Sequence, residues 1–569
     1  MTRSPRRLGL APFGVAALVL LTGSGGSCSE EQHRETTPPP GEVMIEEAEL
    51  PPTDVRLLVI TDLDGYLEPC GCTSRPLGGI DRMSARVRSL SGEGPPSALV
   101  AAGNLYFHGA PHGADAERAA VQERMRAETL NTILERIDLV AAAPGPLDFG
   151  YGTETFRALA SEARFPLVAA GITLASRQEA APDGEAPSPE PPSPVLARTT
   201  VRRVGEHQVG FLGLSHLESA DGSLPDAITV DAALREAGRA AVAELQAQDV
   251  DLIVALVTAD RRGARQVATG VDGIDVVVHG GLDEASVSPP STPGGAILVN
   301  AGRQGQGLVV LDLRLGEGEG WTDASVWTRR ARRDHLAGRI ESLEARIAEW
   351  QGDDSVAAAD VARQRGRLSE MQAELRALGA APRVSGKAFT ARYEELPPEA
   401  ARDPAITELM AAHDRRVNAR NRELFADWTP EPAPEGEPHY VGSQACASCH
   451  GAAVRWWRGH AHGRAYATLE DRHKNFNLSC VGCHVTGYLQ PGGSTVTHVD
   501  RLQDVGCETC HGPGSQHVAA PTEAAVNVRR EAPESLCVRC HNEEHSDQFV
   551  YEGYRRSLLV PGHGLPAGG

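Results

Sequence analysis

Four short runs near the C-terminus share one pattern. They are Cys446-Ala-Ser-Cys449-His450, Cys480-Val-Gly-Cys483-His484, Cys507-Glu-Thr-Cys510-His511 and Cys537-Val-Arg-Cys540-His541. The spacing carries a specific chemistry. Two thiols three residues apart bond covalently to the vinyl groups of a porphyrin, and the histidine that follows lies under the iron as its proximal ligand. Paired Cys-x-x-Cys zinc sites are the competing reading, but zinc needs no histidine fixed directly after every second cysteine. All four runs carry one, so the pattern predicts four haem c groups. Each iron also has a sixth position. The histidines left over for it in this stretch are His439, His460, His462, His473, His498, His517, His545 and His563. Only about 130 residues run from His439 to the end. That is too little protein for a separate hydrophobic core, so the haems themselves must form the core. Close packing of redox centres is what electron transfer requires.

Three of the eleven cysteines lie elsewhere. Cys70 and Cys72 belong to Glu68-Pro69-Cys70-Gly71-Cys72-Thr73, on the loop after the first strand candidate. In an α/β sheet that is where ligands bind. A Cys-x-Cys disulfide closes a small strained ring, which eases its reduction. A redox or metal-binding dithiol, a thiolate nucleophile and an inert loop pair all remain open there. Cys28 stands alone after Arg3, Arg6 and Arg7, an apolar run over 8–21 and small residues over 23–27. This is a secretory signal over 1–27. Its apolar run is shorter than the roughly 20 residues of a membrane span. Gly25-Gly26-Ser27 before Cys28 reads as a lipoprotein cleavage site, although the usual leucine three residues before the cysteine is missing. Cys28 would then carry lipid and anchor an exported protein to the membrane, in the periplasm or cell envelope. Simple cleavage, leaving Cys28 in a tail, is the alternative. Residues 28–52 are rich in Glu, Thr and Pro and read as a tether.

The elements that position these groups follow from hydrophobic patterning. Apolar runs at 55–61, 98–102, 139–143, 209–214, 251–257, 274–279 and 297–300 are strand candidates apolar on both faces, with amphipathic helices such as 116–137 and 231–248 between them. That alternation over 53–318 predicts an α/β domain with covered sheets. Leu336, Ile340, Leu343, Ile347 and Trp350, then Val361, Leu368, Met371, Leu375 and Leu378, predict a helical hairpin or coiled coil over 325–380. Its seam would serve as a spacer or a homodimer interface. A helical connector and a Pro/Glu linker fill 381–436, and the haem-binding domain spans 437–569. The formal charge of −21 and pI of about 5.4 argue against a nucleic-acid binder. They favour a basic partner approaching the molecule as a whole.

Residues 440–563 resemble the tetrahaem cytochrome c-554 family. The resemblance rests on Trp456-Trp457, His462-Gly-Arg-Ala465-Tyr466, Cys483-His484-Val485-Thr486-Gly487-Tyr488, Pro491-Gly492-Gly493, and Cys507-Glu508-Thr509-Cys510-His511-Gly512-Pro513-Gly514 with His517 after it. It implies a mainly α multihaem electron carrier. Most haems would be bis-histidine, sometimes with one five-coordinate iron. By position it implies His462, His517 and His563 as distal iron ligands, with His460 competing with His462.

The N-terminal domain resembles the 5′-nucleotidase branch of the calcineurin-like metallophosphoesterases. The landmarks are Asp62-Leu63-Asp64-Gly65, Gly78-Gly79, Arg82, Ala102-Gly103-Asn104, Leu147-Asp148-Phe149-Gly150 and Val276-Val277-Val278-His279-Gly280-Gly281. This implies an α/β sandwich. The departures weigh against its hydrolytic chemistry. Asp64 stands where that family has its first histidine and Asn104 where it has the bridging aspartate. Pro144-Gly145 replaces Asn-His, and Gly280-Gly281-Leu282-Asp283 falls on the last histidine motif. A two-metal site needs several such ligands converging. The Pro-Cys-Gly-Cys run is similar to one in UshA-like proteins, which implies that Cys72 is the more reactive thiol. The expectation is an exported tetrahaem electron carrier that works with redox partner proteins. Its degenerate first domain would serve docking or thiol redox. The alternatives are an oxidoreductase acting on a small nitrogen or sulfur compound, a module that captures a ligand without converting it, and a metal-dependent phosphoesterase.

Overall fold

Val55, Leu57 and Val59 of β1 (Val55–Thr61) point to one side of a sheet, and Leu58 and Ile60 to the other. Alternation puts successive side chains on opposite faces, so a strand apolar throughout must be covered on both. That requirement sets the architecture of the N-terminal layers. In the computed structural model, β1 pairs in parallel with β2 (Ser97–Gly103), and β2 with β3 (Leu139–Pro144). The first faces of these strands pack on a second sheet. Helices α1 (Ile80–Gly92), α2 (Ala116–Arg136) and α3 (Thr153–Glu162) cover the other faces. A short ribbon follows, formed by β4 (Ile172–Leu174) with β7 (Ile228–Val230). The second sheet has the order β10-β9-β8-β6-β5. Its strands are β5 (Thr199–Val204), β6 (His207–Ser215), β8 (Leu252–Thr258), β9 (Val276–Gly280) and β10 (Ile297–Val299). Leu252, Val254 and Leu256 of β8 face the first sheet. Ile253, Ala255 and Val257 face α4 (Leu234–Gln246) and α5 (Arg261–Gly270). The result is a four-layer α/β/β/α sandwich. The described residues are 45–69, 74–92, 94–109, 116–174, 195–215, 228–230, 234–281, 287–318, 320–353, 355–521, 528–542 and 545–565. Cys28, Cys70 and Cys72, the signal segment and most of the tether lie outside them.

The domain expected over 53–318 does not close at 318. The first sheet has the order β12-β13-β11-β1-β2-β3. Strand β11 (Gly307–Arg314) is antiparallel to both β1 and β13 (Ala388–Glu395), and β12 (Thr322–Asp323) lies at the edge. The helical hairpin, α6 (Val326–Gln351) and α7 (Ala358–Ala377), therefore leaves the sheet after β12 and returns to it at β13. It is an insertion in the sheet rather than a spacer after it. Leu336, Ile340, Leu343 and Ile347 of α6 pack on Met371, Val361 and Leu368 of α7. The apolar stripe is thus the packing seam of the hairpin. Helix α8 (Pro404–Leu424) adds Ile406 and Met410 to the outer cluster against α1 and α2. Asp403 starts it as an N-cap, accepting from the Ala405 amide at 3.0 Å.

Beyond residue 437 the elements are short and mostly helical, as expected. They include α9 (Gly451–Gly459), α10 (Ala465–Glu470) and α11 (Leu478–His484). Their own apolar cluster is small, centred on Tyr466, Val481, Val485, Val496 and Val499, with Phe425 from the connector.

Candidate haem-binding site

A helical turn places residues i, i+3 and i+4 on one face, which is where a Cys-x-x-Cys-His run needs its three side chains. The second motif ends α11 and the third forms the single turn Cys507–His511. In the first and fourth, the histidine amide donates to the carbonyl of the first cysteine, His450 to Cys446 at 2.9 Å and His541 to Cys537 at 2.8 Å. All four motifs open on one connected cavity of about 2330 Å³. Its walls include all four motif histidines and every motif cysteine except Cys449. A pocket for one small molecule is about 300–1,000 Å³, so this one has room for several large planar groups. Motifs distant in sequence meet inside it. Cys446 lies close enough to Cys507, and Cys483 to Cys540, for each thiol to shift the other's titration.

The three histidines implied as distal ligands each face a different motif histidine. Ring centroids lie 6.2 Å apart for His450 and His517, 6.1 Å for His541 and His462, and 6.3 Å for His511 and His563. Metal–imidazole bonds run at about 2 Å, so two rings on opposite sides of one iron have centroids about 6 Å apart once the nitrogen-to-centre offset is added. Among the described residues, no histidine ring faces His484 in this way. His460 and His462 differ in their local contacts. Nδ1 of His460 accepts from the His462 amide at 3.2 Å, while the His460 ring packs on Trp456 at 4.8 Å. Trp456 also stacks on His563, at 5.0 Å.

The second nitrogens are spent as a metal site requires. Nδ1–H donates to the carbonyls of Ala465 in His484 (2.7 Å), Arg529 in His511 (2.6 Å) and Leu558 in His563 (2.7 Å), and Nδ1 of His541 shares a hydrogen bond with Ser546 Oγ (3.2 Å). Such bonds fix the tautomer and leave Nε2 free for iron. Nδ1 of His517 is buried with no partner among the described residues, an unspent donor atom inside the cavity. Burial holds His462 well below its ordinary range, at about 4, so the ring stays neutral and able to ligate. The donor set therefore fits covalent haem.

The carboxylates of the α/β domain converge at the C-terminal ends of β1 and β2, where backbone amides donate to two of them. Asp62 accepts from the amides of Asn104 (3.0 Å) and Gly281 (2.9 Å). Asp148, fully buried, accepts from those of Leu105, Tyr106 and Gly145. A Cβ at Gly145 would lie 2.3 Å from Asn104 Oδ1, so no side chain fits there. Burial raises Asp62 to about 7, and burial together with Asp62 raises Asp64 to about 8. Among the described residues no group of three or more His, Cys, Asp or Glu converges as a metal-ion site.

A polar junction between the two regions was not anticipated. Lys474, 8% exposed, pairs with Glu68 and lies 3.6 Å from Asp414 of α8. Burial opposes its charge, but these two carboxylates outweigh that and hold it above the usual lysine range. Gln122 of α2 donates to Asn477 and Ser479, next to Cys480. Buried Asn421 of α8 donates to Gln122 Oε1 and the Phe476 carbonyl, both at 2.9 Å. The only signal in the sequence was rarity, since Lys387 and Lys474 are the chain's two lysines. Cys70 and Cys72 lie outside the described residues, but the loop's flanks are placed. Glu68 meets Lys474, and Ser74 bonds Asp547 through both its amide and its hydroxyl at 2.8 Å.

Residues 445–512 match the family model described as cytochrome c554 and c-prime. Cytochrome c-554 of Nitrosomonas europaea is 37% identical over 91 residues, which is 13% of this chain and 39% of that protein. The chain thus spans well under half the length of this curated relative. Over this stretch the C-terminal region is similar to the cytochrome c-554 family. Among solved structures, a 5′-nucleotidase precursor from Thermus thermophilus is similar at 19% identity and a TM-score of 0.42. That match covers 64% of this chain and 59% of the other. The sulfate thiohydrolase SoxB of the same organism is similar at 14% identity and a TM-score of 0.40, covering 72% of this chain and 68% of its own.

Proposed function

We propose that this chain is an exported tetrahaem c-type cytochrome that carries electrons, with its α/β domain serving as a docking partner for its own haem region. The carrying observation is the set of three histidine pairs at 6.1–6.3 Å, each formed by a motif histidine and a distant one, around a single cavity. Bound haem supplies a one-electron iron couple. The residues of the chain do the rest. The motif cysteines would tether each porphyrin, and His450, His484, His511 and His541 would ligate the irons. His517, His462 and His563 would be further ligands to three of them. The nearness of Cys446 to Cys507, and of Cys483 to Cys540, puts motifs one and three, and two and four, side by side. Export through residues 1–27, a lipid on Cys28 and a redox role for Cys70 and Cys72 belong to the same proposal. The bonds of Glu68 to Lys474 and of Ser74 to Asp547, which tie the flanks of that loop to the haem-binding region, support that redox role.

A second reading has one observation in its favour. His484 lacks a facing histidine among the described residues, which suits an oxidoreductase with an open iron. Low-temperature EPR of the oxidised holoprotein, with a CO difference spectrum after reduction, tests both. The carrier reading with one open site expects three low-spin irons and one high-spin, CO-binding iron. Fewer than four covalent haems by mass would sink the tetrahaem proposal. Turnover of a small nitrogen or sulfur compound at the CO-sensitive haem would favour the second reading.

A further inference from the structure

The N-terminal layers grip the haem-binding region on one side. Their ion pairs and hydrogen bonds fall on residues 474–479, beside the second motif, and on Asp547 and Gln548, beyond the fourth. Among the described residues, none falls on the first or third motif. The array therefore has two unlike ends. The second motif is wrapped by the chain itself. The first is not, and its Cys449 is exposed and lies outside the cavity wall.

The charge around that end is also unlike the rest. From Ser443 to Ala465 the chain has three arginines, Arg455, Arg458 and Arg464, and no aspartate or glutamate, within a protein of formal charge −21. All three are exposed, and none forms an ion pair among the described residues. A basic rim without ion pairs suits a brief electron-transfer encounter, which needs steering more than area. The rival face, near the fourth motif, exposes Val538, Val550 and Tyr554. There Arg555 is already paired with Glu531 and Glu552, so the charge is mixed.

We propose that the surface around the first motif is the port for an external electron-transfer protein with an acidic face, although the net charge of the whole chain favours a basic one. This rests on the electron-carrier reading above. Each encounter moves one electron from the donor to the iron held by His450, which passes from iron(III) to iron(II). No bond forms or breaks, and the donor leaves one electron poorer.

The test uses the full holoprotein and a reduced plant-type ferredoxin, an acidic iron–sulfur protein at about −400 mV. Haem reduction is followed by stopped flow at low and high salt. The R455Q/R458Q/R464Q variant is expected to be reduced about five- to tenfold more slowly at low salt and at the wild-type rate at high salt, because steering is screened by ions. R555Q/R556Q is expected to match wild type. A triple variant as fast as wild type, or a slow R555Q/R556Q, would overturn the port and move it to the fourth motif. A triple variant with shifted haem potentials, or slow with dithionite as well, would overturn it by showing that the arginines serve their own haem propionates. If the triple variant loses haem, R455Q and R458Q singly, each expected to slow ferredoxin by about twofold, take its place. Failure of wild type to take up four haems, or to be reduced by dithionite, would fault the carrier reading instead.

Discussion

The two halves of this molecule solve the problem of a core in opposite ways. The α/β layers bury strands such as β1 and β8 on both faces, and every fully buried Leu, Ile or Phe contributes about 1.5–3 kcal/mol. The haem-binding region has one modest cluster around Val481 and Val496, and its centre is a cavity walled by cysteine and histidine. In the first half Asp62 and Asp148 accept backbone amides at the strand ends. The second half has little apolar core of its own, and on the proposed reading haem stands there where side chains stand in the first.

The largest expected effect breaks the two halves apart. Protein made without haem attachment should lose protection throughout 437–565 while residues in the sheets keep theirs. Hydrogen exchange read by mass spectrometry checks this. Equal protection in both halves would show that the C-terminal region folds on its own side chains. Next in size is the replacement of single distal histidines. H517A, H462A and H563A should each convert one low-spin haem to a CO-binding high-spin one, seen by EPR, without changing the haem count. H460A should change neither. A variant among the three that leaves the spectrum untouched would remove that histidine from its iron.

A smaller effect sharpens the boundary between the halves. Asn421→Ala removes the donor to Gln122 and to the Phe476 carbonyl. Leaving buried partners unsatisfied costs about 1–3 kcal/mol. The loss should appear as protease sensitivity in the 430–438 linker, because the haem region is then held less firmly. Thermal unfolding that matches wild type would mean that the junction is carried by its other contacts, such as Lys474 with Glu68 and Asp414 and Ser74 with Asp547.

Legibility followed the range of the interactions. The four attachment motifs could be read from sequence because their chemistry fits within one helical turn. β1, β2 and β8 could be read because a doubly covered strand is a continuous apolar run. His462, His517 and His563 were reached only through family resemblance, and their pairing with His541, His450 and His511 is set by distant chain segments. β13 escaped notice because it rejoins its sheet after a two-helix insertion, and its Ala-Phe-Thr-Ala-Arg-Tyr pattern is too mixed to announce a strand. Lys474 escaped because neither partner is near it in sequence. The two carboxylates that follow β1 were legible as a remnant of a metal site, but not as groups that retain protons.

Those protons supply the smallest and most discriminating test. An unfolded aspartate titrates near 3.8, whereas burial raises Asp62 to about 7, and burial with the neighbouring Asp62 raises Asp64 to about 8. Between these values the folded chain holds protons that the unfolded chain has released. Stability from this source is full below the unfolded value and is lost as pH rises through about 7 to 8. The transition of the α/β layers should therefore fall in temperature from pH 5 to pH 9. Asp64→Asn does not titrate, yet its amide oxygen still accepts from Asn104. It should flatten that slope and stabilise the layers at pH 8 by about 1–3 kcal/mol. Calorimetry of wild type and variant decides it. A wild-type profile that is flat, together with a rise in transition temperature on adding manganese, would mean that the carboxylates are ionised and open to a cation. The first half would then be a working metal site, and the contrast with the haem half would fail.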